Sequence, residues 1–245
     1  MIVEPRQRQH ATGALDDADK YFYSDGRGLP IMMRLFEYHV GKRLLEVGAG
    51  VGAVAGWFND RGRDVVAVEP EPLLAERIRS REGRRPIEVV EKESLAAYDE
   101  LASQAREFDT VLYVSVLEHI EDDLREFKEA RKVLTTGGNL IIFVPALQWL
   151  YSRNDAATGH VRRYSRKRLE WLAQESGYEV SLLRHFEVVG IIPYLVICRL
   201  LRRIADDAGS KGLYNNVILP LSALVDKVLR GRLIGKNLVL VARKP

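Results

Sequence analysis

The sequence predicts an α/β fold: an open, mostly parallel sheet with helices on both faces. Three observations predict it. Short apolar runs alternate with stretches of helical periodicity, a glycine-rich turn follows the first run, and an acid closes the second. Repeated strand–helix–strand units joined by right-handed crossovers build a parallel sheet. Ligands of such sheets sit beyond the carboxyl ends of the strands.

The first strand is Arg43-Leu-Leu-Glu-Val47, which runs into glycines, and Ala53 to Arg61 follows as helix. Asp64 to Val68 is the second strand. Pro72 opens the next helix, because proline's fixed φ suits a first helical turn. Ile87 to Val90 is the third strand, Leu95 to Arg106 the third helix and Thr110 to Val114 the fourth strand. From Glu121 to Val133 the apolar positions Leu124, Phe127, Ala130 and Val133 recur at helical spacing. Gly137-Gly138 stop that helix, and Asn139 to Val144 is the fifth strand. Ser165 caps and Gly177 stops a helix from Arg166 to Glu175. Tyr178 to Phe186 and Asn237 to Arg243 complete a seven-stranded sheet. Between those two runs lie about 50 residues of amphipathic helical character, far more than an ordinary connection.

One domain is expected over residues 1–245, with an N-terminal helical cover (1–40), a core (41–186), a helical cap insertion (187–236) and the last strand (237–245). In the insertion, Ile191, Ile192, Leu195, Val196, Leu200 and Leu201 form one apolar face, and Leu219, Leu221, Leu224, Val225, Val228 and Leu229 a second. These faces cover the acceptor side of the site, pair two subunits in a homodimer, touch a membrane surface peripherally, or simply pack onto the domain.

Composition narrows the function classes. With 245 residues, 47% of them hydrophobic, the chain can bury a sizeable core. A net charge of +3 is too weak to argue for a nucleic-acid partner. The single cysteine, Cys198, excludes disulfides within the chain and a cysteine-ligated iron–sulfur cluster, and a reducing, cytoplasmic setting fits. Met1 to His10 lacks the apolar core of a signal peptide. The charge-free stretch from Val133 to Ser152 is broken by Gly137-Gly138, Asn139, Pro145 and Gln148, whereas a membrane span needs about 20 mostly apolar residues. The five histidines form no short-spaced set with carboxylates, so no metal site is expected.

The strongest chemical signal is Glu46-Val-Gly48-Ala49-Gly50-Val-Gly52, directly after the first strand. Glycines let backbone approach a ligand closely, and the following helix offers free N–H groups. The same spacing satisfies the dinucleotide pattern, so the glycines alone leave the ligand open. Glu46 shifts the balance: a carboxylate beside the loop repels a pyrophosphate but can hold the amino group of an amino-acid-bearing ligand. The second strand ends at Glu69-Pro70, where an acid can accept bonds from both hydroxyls of a ribose.

Leu44-Leu-Glu-Val-Gly-Ala-Gly-Val-Gly52, then Val68-Glu-Pro70, then Phe108-Asp-Thr-Val-Leu-Tyr-Val-Ser-Val-Leu-Glu-His-Ile120, then Gly137-Gly-Asn-Leu-Ile-Ile-Phe-Val-Pro145 resemble, in order, the motifs of class I S-adenosylmethionine-dependent methyltransferases. The resemblance implies the Rossmann-like fold of that family, with S-adenosyl-L-methionine as cofactor. It implies that Glu46 lies near the methionine amino group, that Gly48, Ala49, Gly50 and Gly52 face the methionine part, and that Glu69 with Pro70 meets the ribose. The adenine position corresponds to Glu93 or Ser94, where family members often carry Asp. Ser115 and Val116 become the floor of the methionine and acceptor site. Glu118 and His119 either share that floor or cap the next helix. The Asp/Asn-Pro-Pro-aromatic signature of many amino-directed nucleic-acid methyltransferases is absent after the fourth strand.

A second cluster follows the fifth strand: Trp149, Tyr151, Asp155, then Gly159-His160-Val-Arg162-Arg163-Tyr164, then Arg166-Lys167-Arg168. Gly-His-x-Arg-Arg-Tyr resembles a segment of a methyltransferase subgroup associated with glycan and secondary-metabolite pathways. His160 is the candidate general base. Arg162 and Arg163 are candidates to grip phosphate or carboxylate on a small-molecule acceptor, with Tyr164, His119 and Tyr21 beside it; Arg166 to Arg168 read as a solvated helix face. The function implied is methyl transfer to an oxygen or nitrogen of a small molecule, glycosyl or phosphate-bearing. Two alternatives stay open: another Rossmann-like enzyme using a nicotinamide cofactor, and a cofactor-binding module without catalysis.

Overall fold

The computed structural model describes residues 28–200, 214–229 and 234–245. Its strands are β1 (Arg43–Val47), β2 (Asp64–Val68), β3 (Glu88–Val90), β4 (Phe108–Val114), β5 (Leu134–Pro145), β6 (Glu179–Phe186) and β7 (Asn237–Arg243). They form one sheet in the order β3-β2-β1-β4-β5-β7-β6. The first five are parallel, and β7 inserts antiparallel between β5 and β6.

Both faces of the sheet are covered, and strand alternation explains how. Leu45, Val47, Val66, Val68, Val111, Tyr113, Ile142 and Leu240 point to one face. There they meet α4 (Ser94–Ser103), α5 (Asp123–Lys132) and α7 (Arg166–Glu175) through Ala97, Leu101, Phe127, Ala130, Leu169 and Leu172. Leu44, Val65, Ala67, Leu112, Ile141 and Val239 point to the other, against Met32 and Met33 of α1 (Gly28–Met33), Val54, Ala55 and Phe58 of α2 (Ala53–Asp60), and Ile78 of α3 (Pro72–Arg79). Glu46 shares that second parity, so its carboxylate is carried inside toward the start of α2.

The predicted helices are present with shifted ends. The helix expected over Glu121–Val133 spans Asp123–Lys132, but β5, expected from Asn139, already begins at Leu134, which pairs with Phe108 of β4. Gly137, with φ 80°, then lies inside β5 as an irregularity and not as a helix stop. Ser165 caps α7 as expected, its hydroxyl accepting from the Arg168 N–H at 3.2 Å.

The described part of the insertion comprises α8 (Ile191–Tyr194), π-helical turns over Leu195–Leu200 and Tyr214–Ile218, and α9 (Leu219–Leu229). Leu219 packs in the α1–α2 core, and Ser222 and Asp226 accept bonds from the backbone N–H groups of Val189 and Glu187. Leu221, Leu224 and Val228 of α9 are exposed. Tyr21 and the rest of the N-terminal cover before Gly28, and Leu201 of the insertion, lie outside the described residues. No described helix is long and apolar enough to cross a membrane.

Candidate active site

Three segments meet at the carboxyl edge of the sheet: the glycine loop after β1, the turn after β4, and the loop after β5. In the first, Gly48 has φ 69°, and a Cβ placed there would stand 2.6 Å from a Val116 methyl group, so only glycine fits. Gly50, at φ 57°, faces open space, with nothing within 4 Å of where a Cβ would stand. Val116 of the β4 turn thus forms one wall of the glycine loop, and Ser115 before it is held at φ 55°. A left-handed serine of this kind stores strain of about 1–3 kcal/mol, which recurs at ligand sites.

Two acids flank the loop. Glu46 is buried, and its Oε2 has no hydrogen-bond partner in the protein. Burial pushes its carboxyl up to about 8, partly offset by the backbone N–H of Ala55. Glu69 is also buried and ties the loop together, accepting from the Gly50 N–H at 2.7 Å and from the Glu71 N–H at 3.1 Å. Pro70 is exposed beside it. Beyond β3, Glu93 is exposed, while the Ser94 hydroxyl donates to Glu126 at 2.5 Å. Glu126 accepts in turn from the Tyr113 hydroxyl at 2.7 Å, and Tyr113 is bonded to Tyr98. Sequence reasoning missed this buried chain, because its members read as ordinary helix and strand positions.

The third segment centres on His160. Its Nδ1 lies 3.0 Å from Asp155 Oδ1, and its Nε2 points toward Glu118, 3.9 Å from Oε1. The ring of His119 stands edge-on to it at 4.8 Å between centroids. Asp155, on α6 (Arg153–Ala157), is fully buried and receives donors from five atoms: His160, Arg163 Nε at 2.8 Å, the Tyr194 hydroxyl at 2.7 Å, and the N–H and hydroxyl of Ser152. Burial alone would raise the Asp155 carboxyl. The His160 bond, the Arg163 charge and the Tyr194 hydroxyl outweigh it and hold the group well below the usual carboxylate range. For Glu118 the balance is reversed: it is buried, its Oε2 has no partner, and burial, only partly offset by its own backbone N–H and the Arg163 charge, pushes it up to about 8.

The arginines of this segment are placed differently from the expectation. Arg163 is buried on Asp155 and on the Ala146 carbonyl, with its guanidinium 4.5 Å from the Tyr194 ring. Arg162 is partly exposed but engaged by the Glu121 carbonyl at 2.8 Å and Asp123 at 2.9 Å. Tyr164 is buried and donates to the Leu117 carbonyl and Asp123. Two buried aspartates thus absorb the Arg-Arg-Tyr run, because isolated charge inside a protein must be paired. Among the described members of the predicted acceptor group, His119 is exposed and His160 and Arg162 are partly exposed. Glu118, His119 and His160 also bring ligand-type atoms within 4.8 Å of one another, a juxtaposition that the spacing of the histidines in sequence did not reveal.

Comparison with known proteins decides the family. The methyltransferase domain profile matches residues 27–183, more than half of the chain and all three segments of this site. The chain belongs to the class I S-adenosylmethionine-dependent methyltransferase family. A ubiquinone biosynthesis O-methyltransferase of Aliivibrio fischeri is 29% identical to this chain over 102 residues, 41% of this chain and 42% of that enzyme. The chain therefore spans less than half the length of the curated relative it matches. A SAM-dependent methyltransferase of Archaeoglobus fulgidus shares the fold with a TM-score of 0.61, at 16% identity, over 94% of this chain and 98% of that one. A phosphoethanolamine N-methyltransferase of Haemonchus contortus, solved with phosphomonomethylethanolamine and S-adenosylhomocysteine, aligns with a TM-score of 0.60 at 16% identity, over 98% of this chain and 58% of that one.

S-Adenosyl-L-methionine is the cofactor of this family, and the carboxyl edge of the sheet fits it. A buried carboxylate oxygen without a partner, beside a glycine that faces open space, is what an ammonium-bearing ligand needs.

Proposed function

We propose that this methyltransferase moves a methyl group from S-adenosylmethionine to an oxygen or nitrogen of a small-molecule acceptor, with His160 receiving the proton the acceptor loses. The observation that carries this reading is the Asp155–His160 pair at the same sheet edge as the glycine loop. Nδ1–H held by a carboxylate leaves Nε2 as the proton acceptor, the arrangement that orients a general base.

When bound, the cofactor supplies a sulfonium-activated methyl group, so the protein's task is alignment and electrostatics. Glu46 takes the ammonium, and Gly48, Ala49, Gly50 and Gly52 lie along the methionine part. Glu69 keeps free lone pairs for the ribose hydroxyls even while it tethers two backbone N–H groups. Pro70, Glu93 and Ser94 border the adenosine end, and Ser115 with Val116 floors the transfer site. His119 lines the acceptor side, and Arg162, Arg163 and Tyr164 serve it indirectly by fixing the His160 loop. A hydroxyl-rich, glycosyl-type acceptor is favoured over a phosphate-bearing one. Trp149, 47% exposed after β5, offers a stacking face, whereas both arginines are committed to internal acids.

Calorimetry with S-adenosylhomocysteine should find one site per chain. Glu69→Ala should weaken it by about 1.5–3 kcal/mol, the worth of hydrogen bonds to a charged group. Unchanged affinity in a folded Glu69→Ala protein rejects the ribose role. Labelled-methyl transfer screened across sugars, phenols, amines and phospho-compounds tests the acceptor class.

A further inference from the structure

We infer that Asp155 is the positioning residue of His160, and that Tyr194 of the insertion completes its anchorage, making residues after β6 part of the catalytic apparatus. This inference rests on the reading of His160 as the proton acceptor. Among the described residues, the groups that face the imidazole are Asp155 on α6, and Glu118 and His119 on the turn after β4; Arg163 and Tyr194 act on it through Asp155.

The geometry leaves one consistent proton arrangement. Arg163, Tyr194, and the N–H and hydroxyl of Ser152 all aim hydrogens at Asp155, which suits an ionised carboxylate that only accepts. His160 Nδ1, 3.0 Å from the same carboxylate, must then carry its proton there. Nε2 is left with a lone pair on the side of Glu118, whose Oε1 is 3.9 Å away. In the transfer step the acceptor O–H or N–H oxygen or nitrogen forms a bond to the methyl carbon, and the carbon–sulfur bond breaks with its electron pair staying on sulfur. The acceptor's proton passes to Nε2, and the resulting imidazolium is balanced by Asp155. Without the carboxylate, a neutral imidazole places its proton on either nitrogen, and the Nε2–H form cannot accept.

Tyr194 ties this unit to the insertion. Its hydroxyl reaches Asp155 Oδ2 at 2.7 Å and the Ser152 hydroxyl at 3.0 Å, across 39 and 42 residues of sequence. Its ring lies under the Arg163 guanidinium, so α8 closes both the polar and the stacked side of the Asp155 hub.

The test is nitrogen-15 NMR of the histidine-labelled full chain, in EDTA so that no ion loads the Glu118–His119–His160 cluster. The His160 signals are assigned by their loss in His160→Gln. In its neutral form, wild-type His160 should carry its proton on Nδ1, and Asp155→Ala should move the proton predominantly to Nε2. A wild-type His160 protonated on Nε2, or a tautomer unmoved in Asp155→Ala, overturns the inference. If Asp155→Ala does not fold, the wild-type tautomer decides. Tyr194→Phe should keep the fold and the tautomer but speed amide exchange over residues 153–160 by roughly two- to tenfold, the loss of one hydrogen bond. Unchanged exchange removes Tyr194 from the anchorage. Binding of S-adenosylhomocysteine, followed in the same samples, separates the failures. No binding sinks the methyltransferase reading, whereas intact binding with the wrong tautomer sinks only the positioning role.

Discussion

The two edges of the sheet differ in how they treat their acids. At the amino edge, a groove of about 520 Å³ is lined by arginines and acids that are exposed and matched. Asp64 meets Arg85 at 2.6 Å, Asp109 meets Arg43 at 2.7 Å, and Glu88 pairs with Arg106. At the carboxyl edge, Glu46 and Glu118 are buried and each leaves one oxygen without a partner. Backbone strain does not separate the edges, since Ala105 at one and Ser115 at the other share a left-handed φ of 53° and 55°. What separates them is burial without a partner: desolvation pushes the Glu46 and Glu118 carboxyls up to about 8, a perturbation that recurs at functional sites.

The largest expected effect tests that contrast at the chemistry itself. His160→Ala should lower methyl transfer by about 10²–10⁴-fold while S-adenosylhomocysteine affinity stays near wild type, because the loop after β5 does not build the glycine-loop pocket. Full turnover in this variant would mean that positioning alone drives the reaction.

The next effect separates two neighbouring arginines. Arg163 is buried against Asp155, so Arg163→Ala leaves a buried carboxylate short of its cation and should cost about 3–5 kcal/mol of folding stability. Arg162 is partly exposed, and Asp123 keeps Arg168 as a second partner, so Arg162→Ala should cost far less. Chemical denaturation compares them. Equal losses would show that the Asp155 hub is not the keystone of the loop.

These arginines also mark where the sequence stopped being legible. The strand–helix alternation, the glycine loop and the acids at Glu46 and Glu69 could be read directly, because each is set by neighbours within one turn or one strand. The fate of Arg162, Arg163 and Tyr164 could not. Tyr164 meets Asp123 across 41 residues, and Asp123 reads in sequence as an ordinary helix-start acid. Asp155 stood in the cluster without a role, although its spacing of five residues from His160 was the available signal. The start of β5 was read at Asn139 and not at Leu134 for a related reason: pairing of Leu134 with Phe108 is a long-range contact that local periodicity does not carry.

A smaller effect tests the unpaired acids through pH. Glu46 is raised from 4.5 to about 8 by burial, so the folded apo-protein holds a proton there that the unfolded chain has lost. Stability should therefore be greatest from this group near pH 4.5 and fall as pH rises toward 8, by at most about 1.4 kcal/mol per pH unit. Glu46→Gln should flatten that decline in thermal melts. Cofactor binding should also release a proton near pH 7 in the wild type, because an ammonium beside Glu46 favours its ionised form, and this release should vanish in Glu46→Gln. Calorimetry in buffers of different ionisation enthalpy measures it, and the absence of proton release would place the ammonium elsewhere.

The smallest effect is expected at the amino edge. Arg85 and Asp64 sit at 2.6 Å, yet their side chains are 49% and 40% exposed. Water and salt screen such a pair, and holding two long side chains in one geometry costs entropy, so exposed pairs contribute only about 0.2–1 kcal/mol. Arg85→Gln should shift the denaturation midpoint little, less still at high salt, and leave both S-adenosylhomocysteine affinity and methyl transfer unchanged. The contrast with Arg163→Ala then rests on burial and not on ion-pair distance, since the shorter of the two contacts is the one predicted to matter less. A strong loss of cofactor affinity in Arg85→Gln would break the division between the edges and make the arginine-lined groove a second site to explain.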